Sequence, residues 1–325
     1  MHMIVTNKKG LSQAWVSAVR NDQYERAGDY SVTQLISPAQ LQILLERHRD
    51  KVVMDVQEGL WILLGKSVHY ILEQSHTRGA LTEHTLLFNI GNFQVSGTPD
   101  RLERIDDPEE KAAMSFLRSI SPDRDWPERV RQYHLRDFKI TSIYAIKEGP
   151  KDDWVRQTNC YGFMLRQQGI AVTRLSIETL LKDWRMSEYM KERNGRGYPD
   201  AQAQVLDVPV WNDAKCYEYL EQRVNLFESS KMLPDDKLPR CSHEERWAKP
   251  DRFAAVYHSK GTTVAARGGG NFDSQMDAEA FIAGYTGKKQ LHVEFRPGES
   301  VRCEGYCPVK HWCRQYREEI CGDEF

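Results

Sequence analysis

Three stretches of this chain carry side chains whose types and spacing can do chemistry. In Asp137-Phe138-Lys139 a carboxylate and an ammonium group stand two residues apart. Side chains alternate along an extended strand, so both leave the same face. Gly97-Thr98-Pro99-Asp100 supplies a second carboxylate in another strand-like context. Two carboxylates on one face can hold a hard divalent cation, Mg²⁺ or Mn²⁺. Such an ion lowers the pKa of a bound water and neutralises charge building on a phosphate, while a lysine beside it orients or polarises the nucleophile. Each piece also has a plainer meaning: a surface ion pair for Asp137 and Lys139, a turn residue for Asp100.

The third stretch is a cysteine cluster. Of seven cysteines, four lie in the last 23 residues: Cys303, Cys307, Cys313 and Cys321. No signal peptide is evident, so clustered thiols point to metal or redox chemistry before disulfides. Thiolates as close as Cys303-x₃-Cys307-x₅-Cys313 repel unless a metal or cluster neutralises them, and Cys241 is the natural fourth ligand. Structural zinc is one occupant, with Cys₄ or with His243 or His311 in place of a thiolate; reduced, unliganded thiols are the plain alternative. Cys160 and Cys216 lie in helical segments and read as small packed residues, which leaves Cys321 as a spare.

The elements that must position these groups follow from periodicity. A helix is expected over 38–50 with Leu41, Leu44 and Leu45, and another from about Leu60 to Glu73 with Trp61, Leu64, Val68 and Leu72 on its apolar stripe. His84–Ile90 and Phe93–Ile105 read as strands joined at Gly91-Asn92, and Asp106 to about Glu128 as a charged insertion. Gln132–Ile140 is a strand, Lys151–Gln168 an amphipathic helix ended by Gly169, Thr173–Leu181 and Val205–Val210 strands, and Asn212–Lys231 a long helix. Beyond Pro234 the character changes to Phe253–Tyr257 and Thr262–Ala266 as strands, Gly268-Gly269-Gly270 as a loop without the Lys-Ser/Thr of a phosphate cradle, and Met276–Ala283 as a helix. The order suits an α/β fold with a mixed sheet. Two domains are expected: 4–232, a core with its N-terminal helices, and 233–325, a cysteine-bearing extension.

His69, four residues after Gly65, borders the apolar stripe of the second helix. Gln157 and Tyr161 sit at i and i+4 on the helix after the Asp-Phe-Lys strand. Alone, each reads as a packed histidine or the polar margin of a core helix. Together, Gly65-x-x-x-His69, Gly97-Thr98-Pro99-Asp100, Asp137-Phe138-Lys139 and Gln157-x-x-x-Tyr161 resemble, in order and spacing, the PD-(D/E)XK nuclease superfamily over roughly residues 60–182. They look most like its RecB-like branch, which includes CRISPR-associated adaptation nucleases and the nuclease domains of recombination helicases. The resemblance implies a restriction-endonuclease-like core, metal binding by His69, Asp100, Asp137 and the Phe138 carbonyl, catalysis by Lys139, and support of DNA or the site by Gln157 and Tyr161. Asp137 stands where a glutamate is often found; Glu73 and Glu83 are further carboxylates within reach. The branch often carries a [4Fe–4S] cluster on one distant and three C-terminal cysteines, which implies Cys241, Cys303, Cys307 and Cys313 here. The first gap is x₃ rather than x₂, and Cys241 follows the core rather than preceding it.

The composition sets limits. With 45 Lys+Arg against 47 Asp+Glu, the net charge of −2 excludes binding polyanions by bulk charge, so any basic surface is local. Arg129, Arg131 and Arg136 lead into the site strand. Lys237, Arg240, Arg246, Lys249 and Arg252 flank Cys241, interleaved with Trp247 and Phe253 but mixed with Glu244, Glu245 and Asp251. Basic residues beside rings suit a single-strand channel. No apolar run approaches the ~20 residues of a membrane span. The expectation is a metal-dependent DNA nuclease, an exonuclease on single-stranded ends before a structure-specific endonuclease or a binding module without turnover. It would be cytoplasmic and bacterial or phage-encoded, with a recombination or replication protein as a possible partner.

Overall fold

The computed structural model of the chain describes residues 4–21, 27–75, 80–82, 84–105, 115, 119, 131–192, 197–259 and 261–322. They fall into two units, one of 1–37 and 53–232, the other of 38–52 and 233–325. The helix expected over 38–50, grouped above with the core, belongs to the second unit. All of the charged insertion but residues 115 and 119, together with Arg129 and Glu83, lies outside the described residues.

The first unit opens with β1 (Ile4–Thr6), α1 (Gln13–Arg20), β2 (Tyr30–Ser31) and α2 (Val32–Ile36). The chain supplies α3 (Ala39–Arg47) to the second unit, then returns as β3 (Val53–Asp55), parallel to β1, and α4 (Val56–Glu73). Asp55 caps α4. Its carboxylate accepts from Lys8 N, Gln57 N and Thr6 Oγ1, which holds its acid down at about 2 and ties the helix start to β1. Val56, Leu60 and Leu63 pack with Val16 and Val19 of α1, where a Cβ on Gly59 would stand 2.8 Å from Val19 Cγ2. The expected stripe is covered only in part: Trp61 is 59% and Leu64 41% exposed, while Val68 and Leu72 are half-buried. Which face of an apolar helix is covered depends on its neighbour, here α1, and periodicity cannot name that neighbour.

The strands β4 (Ala80–Thr82), β5 (Leu86–Ile90), β6 (Phe93–Gly97), β7 (Arg101–Arg104) and β8 (Gln132–Thr141) are followed by α5 (Asp152–Gln167), β9 (Ala171–Leu181), α6 (Met186–Glu192), β10 (Ala203–Val208) and α7 (Asp213–Lys231). The main sheet runs β10-β9-β8-β7-β4. β8 and β9 are parallel, joined by α5 as a parallel pair requires, and the other pairs are antiparallel, so the mixed α/β sheet is observed. The hairpin at Gly91 pairs β5 with β6 in a separate sheet with β2. The single strand expected over 93–105 is thus two strands in two sheets. Pro99, with no N–H to donate, lies in the break between them.

α5 is buried along most of its length, with Trp154, Phe163, Met164 and Leu165 in the core and Cys160 fully enclosed. Cys216 of α7 is equally buried, in keeping with packing roles for both. A Cβ on Gly97 would come 2.8 Å from the Tyr161 ring, so the motif strand and the helix approach more closely than any other residue permits.

In the second unit, β11 (Arg252–Ser259), β12 (Thr262–Ala265), α8 (Gln275–Ala283) and β13 (His292–Arg296) form an antiparallel sheet ordered β12-β11-β13, with α8 packed on it. β13 was not expected, although Val293 and Phe295 alternate with polar neighbours. Gly269 lies against Phe281 of α8, which makes the glycine run a packed loop. His48, just past α3, stacks on Trp312 at 4.7 Å between centroids and bonds Asp235 at 2.7 Å. Among the described residues no helix is long and apolar enough to cross a membrane. Gly97→Ala should lower unfolding stability by roughly 1–3 kcal/mol in urea titration, because overpacking against Tyr161 cannot relax without moving α5.

Candidate active site and cysteine pocket

Strand register builds the first site. β7 and β8 pair Arg101 with Arg136 in antiparallel register, and one step further the same register sets Asp100 beside Asp137. Two carboxylates side by side repel, so the pair needs cations. Lys139, on the same face of β8, places Nζ 2.5 Å from Asp137 Oδ2, and His69 of α4 places Nδ1 3.4 Å from Asp100 Oδ1. Asp100 Oδ2 accepts from Phe138 N at 2.7 Å, which locks the carboxylate to the strand. The His69 ring meets the Phe138 ring edge-on at 6.1 Å. His69, Asp100, Asp137, Phe138 and Lys139 are therefore brought together.

Asp137 is the unusual member. It is 1% exposed, and neither carboxylate oxygen has a hydrogen bond of acceptable geometry; the close Lys139 contact is an ion pair by distance but is poorly aligned as a hydrogen bond. Burial pushes its acid up to about 6, the Lys139 charge pulls against this, and Asp100 adds to the rise. Burial alone would lower the Lys139 ammonium, but Asp137 and Asp100 more than offset it, so that group stays charged. The Asp100 carboxylate raises the His69 pKa against the effect of burial. A buried carboxylate with unused lone pairs, a second carboxylate and an imidazole form a donor set that suits a hard divalent cation. Among the described residues no group of three or more His, Cys, Asp or Glu side chains is arranged to hold a metal ion.

Gln157 donates to the Tyr161 hydroxyl at 3.0 Å, and Tyr161 is buried against Gly97 with its pKa raised by burial. The pair lies behind the motif strand, where it packs. Glu73 lines a depression on α4 with Gly65, Lys66, His69 and Tyr70.

The second site lies within the second unit. Cys241, Cys303, Cys307 and Cys313 line one small pocket, as grouped from the sequence, whereas His243, His311 and Cys321 do not. Burial raises all four thiol pKa values, most strongly that of Cys241, where Glu245 and the other three thiols add to the effect. Two glutamines that no sequence pattern marked hold the pocket. Gln315 exchanges bonds with the Cys241 backbone, accepting from its N at 2.9 Å and donating to its O at 3.2 Å. The Oε1 of Gln40, on α3, accepts from Cys241 Sγ at 3.5 Å and Cys313 Sγ at 3.6 Å.

The basic residues around Cys241 are largely occupied: Arg240 pairs with Glu318 and Glu319, Arg246 with Glu319, Lys249 with Glu299 and Arg252 with Asp273. Arg136 likewise pairs with Glu103 and Glu178. The cationic stretches read from the sequence are thus neutralised by carboxylates that the fold brings to them.

No family model matches this chain, and no curated protein does. Among solved structures, one titled "Crystal structure of SSO0001" is similar at 13% identity and a TM-score of 0.40, over 66% of this chain and 83% of that one. A likeness of that size carries no argument about function.

The Asp137 shift gives a signed expectation for metal-free protein. The folded state keeps the Asp137 proton up to pH about 6, whereas an unfolded aspartate releases it near 3.8, so stability falls as pH rises between those values. Asp137→Asn should remove that slope, measured by urea titration in EDTA across pH 4 to 7.

Proposed function

We propose that this protein is a divalent-metal-dependent DNA nuclease with a restriction-endonuclease-like core, acting on single-stranded ends. The observation that carries the reading is the buried Asp137 carboxylate, its oxygens without aligned hydrogen bonds, beside Asp100, His69 and the charged Lys139. Oδ2 meets the Lys139 ammonium, while Oδ1 is buried without a hydrogen-bond partner and so keeps lone pairs for a ligand. Mg²⁺ or Mn²⁺, held by Asp100, Asp137, His69 and the Phe138 carbonyl, would activate water and neutralise charge on the scissile phosphate. The Lys139 ammonium, fixed by strand geometry on the same face as Asp137, orients a water against the phosphate and offsets negative charge as it grows. His69 and Phe138 N hold Asp100 in its orientation.

The cysteine pocket supports a second element of the reading, a [4Fe–4S] cluster on Cys241, Cys303, Cys307 and Cys313. Four thiols share one pocket, in keeping with the cluster ligands the resemblance implies; structural zinc on the same thiols is the alternative occupant. The cluster's contribution would be to hold the C-terminal turns in place.

Asp137→Ala and Lys139→Ala should each reduce Mn²⁺-dependent cleavage of an end-labelled single strand at least a hundredfold with circular dichroism unchanged. Cleavage undiminished in both would overturn the assignment. Circular single-stranded DNA separates exonuclease, which leaves it intact, from endonuclease. Anaerobically purified protein should be brown and iron-bearing, and Cys307→Ser should lose both colour and iron; colourless protein with bound zinc would remove the cluster.

A further inference from the structure

Helix α4 carries a glycine at position 65 that nothing in the fold accounts for. Glycine in a helix interior is destabilising relative to alanine, so it is retained where a neighbour comes too close for a Cβ. Gly59, against Val19, is such a case. At Gly65 a Cβ would meet nothing within 4 Å. The space it leaves open lies between two informative residues, because Trp61, Gly65 and His69 follow at i, i+4 and i+8 and form one row on the helix surface. His69 at one end stands on the Asp100 carboxylate. Trp61 at the other end is 59% exposed, with the Lys182 ammonium 3.7 Å from its ring centroid.

Lys182 ties this row to the site strand. Its backbone N donates to Thr141 O at 2.9 Å, and Thr141 is the last residue of β8, two beyond Lys139. Just past Thr141, a second exposed ring, Tyr144, lies under the Lys147 ammonium at 4.7 Å. Asp183, the nearest acid in sequence, is committed to Ser142 Oγ and Ile143 N. Two solvent-facing rings each have a lysine over them, and the depression at Gly65 is lined also by Lys66, His69, Tyr70 and Glu73. Rings stack on bases and lysines follow phosphates, the combination that holds a single strand without reading its sequence. Ile62, Leu64 and Ile71 are also exposed on α4, but the ends of the row itself are an aromatic–cation pair and the candidate site, which favours a strand carrying bases and phosphates.

We propose that the Trp61–Gly65–His69 row of α4, with Lys182, is the track along which a single nucleic-acid strand lies as it enters the site, with a base stacked on Trp61 and the backbone crossing Gly65. This rests on the nuclease reading for what happens at the end of the track, but binding itself can be measured without cleavage. The test is fluorescence anisotropy of the full chain with a fluorescein-labelled oligo-dT of about 20 nucleotides in EDTA. Trp61→Ala should weaken binding about tenfold, and Lys182→Ala should weaken it and flatten its salt dependence. Gly65→Leu is the decisive variant: it should unfold at the same or a higher temperature than the wild type, since it improves helix propensity, yet bind the oligonucleotide about tenfold more weakly because its side chain fills the path.

Wild-type affinity in both Trp61→Ala and Gly65→Leu would overturn the track, as would failure of the wild type to bind the oligonucleotide. Parallel cleavage assays in Mn²⁺ keep the two readings apart. Loss of binding in these variants, with wild-type cleavage absent or indifferent to Lys139→Ala, overturns the nuclease reading and leaves the track standing. Cleavage that requires Lys139, together with unaltered binding by the α4 variants, does the reverse.

Discussion

Asp137 is held out of water beside a second carboxylate, and much of the first unit is arranged around that unfavourable placement. The antiparallel register of β7 and β8 sets the half-buried Asp100 next to Asp137, and burial denies Asp137 the solvent that would screen it. Lys139 from the same strand and His69 from α4 supply the opposing charge. These cations are only useful where they are if β8 stays in register and α4 stays docked. Asp55, Gly59 and α1 hold the helix, while the parallel β8–β9 pair and its α5 crossover hold the strand. Gly97 brings Tyr161 of α5 within contact of the motif strand.

The same economy of charge governs the surface. A nearly neutral chain has few cations to spare, and the fold pairs most of those around Cys241 with glutamates. Lysines that remain over exposed rings, at Trp61 and Tyr144, then stand out by position rather than by number. A local electrostatic feature next to buried carboxylates can attract a polyanion when the summed charge cannot.

The second unit depends on a different kind of constraint. Four buried thiols in one pocket are costly to ionise, and two glutamines, Gln40 and Gln315, bind the pocket's sulfurs and backbone. Neither glutamine belongs to a spacing pattern. Gln40 reaches Cys241 and Cys313 across 201 and 273 residues, and Gln315 reaches Cys241 across 74. Sequence separation of that size leaves no periodic trace.

By itself the sequence determined the elements and the residues that could carry chemistry. Alternation placed Asp137 and Lys139 on one face, helical spacing marked α5 and α7, and the clustering of cysteines named three of the four that share a pocket, with Cys241 the natural fourth. These are local properties, set by the period of the backbone and the chemistry of side chains. Tertiary structure decided the rest. It split residues 93–105 between two sheets at Pro99, assigned the helix at 39–47 to the second unit and buried the α1-facing side of α4 instead of the Trp61–Leu64 stripe. It also turned apparent basic patches into ion pairs. Each of those outcomes depends on which neighbour an element meets, and a chain's periodicity records the face an element offers but not the partner that covers it.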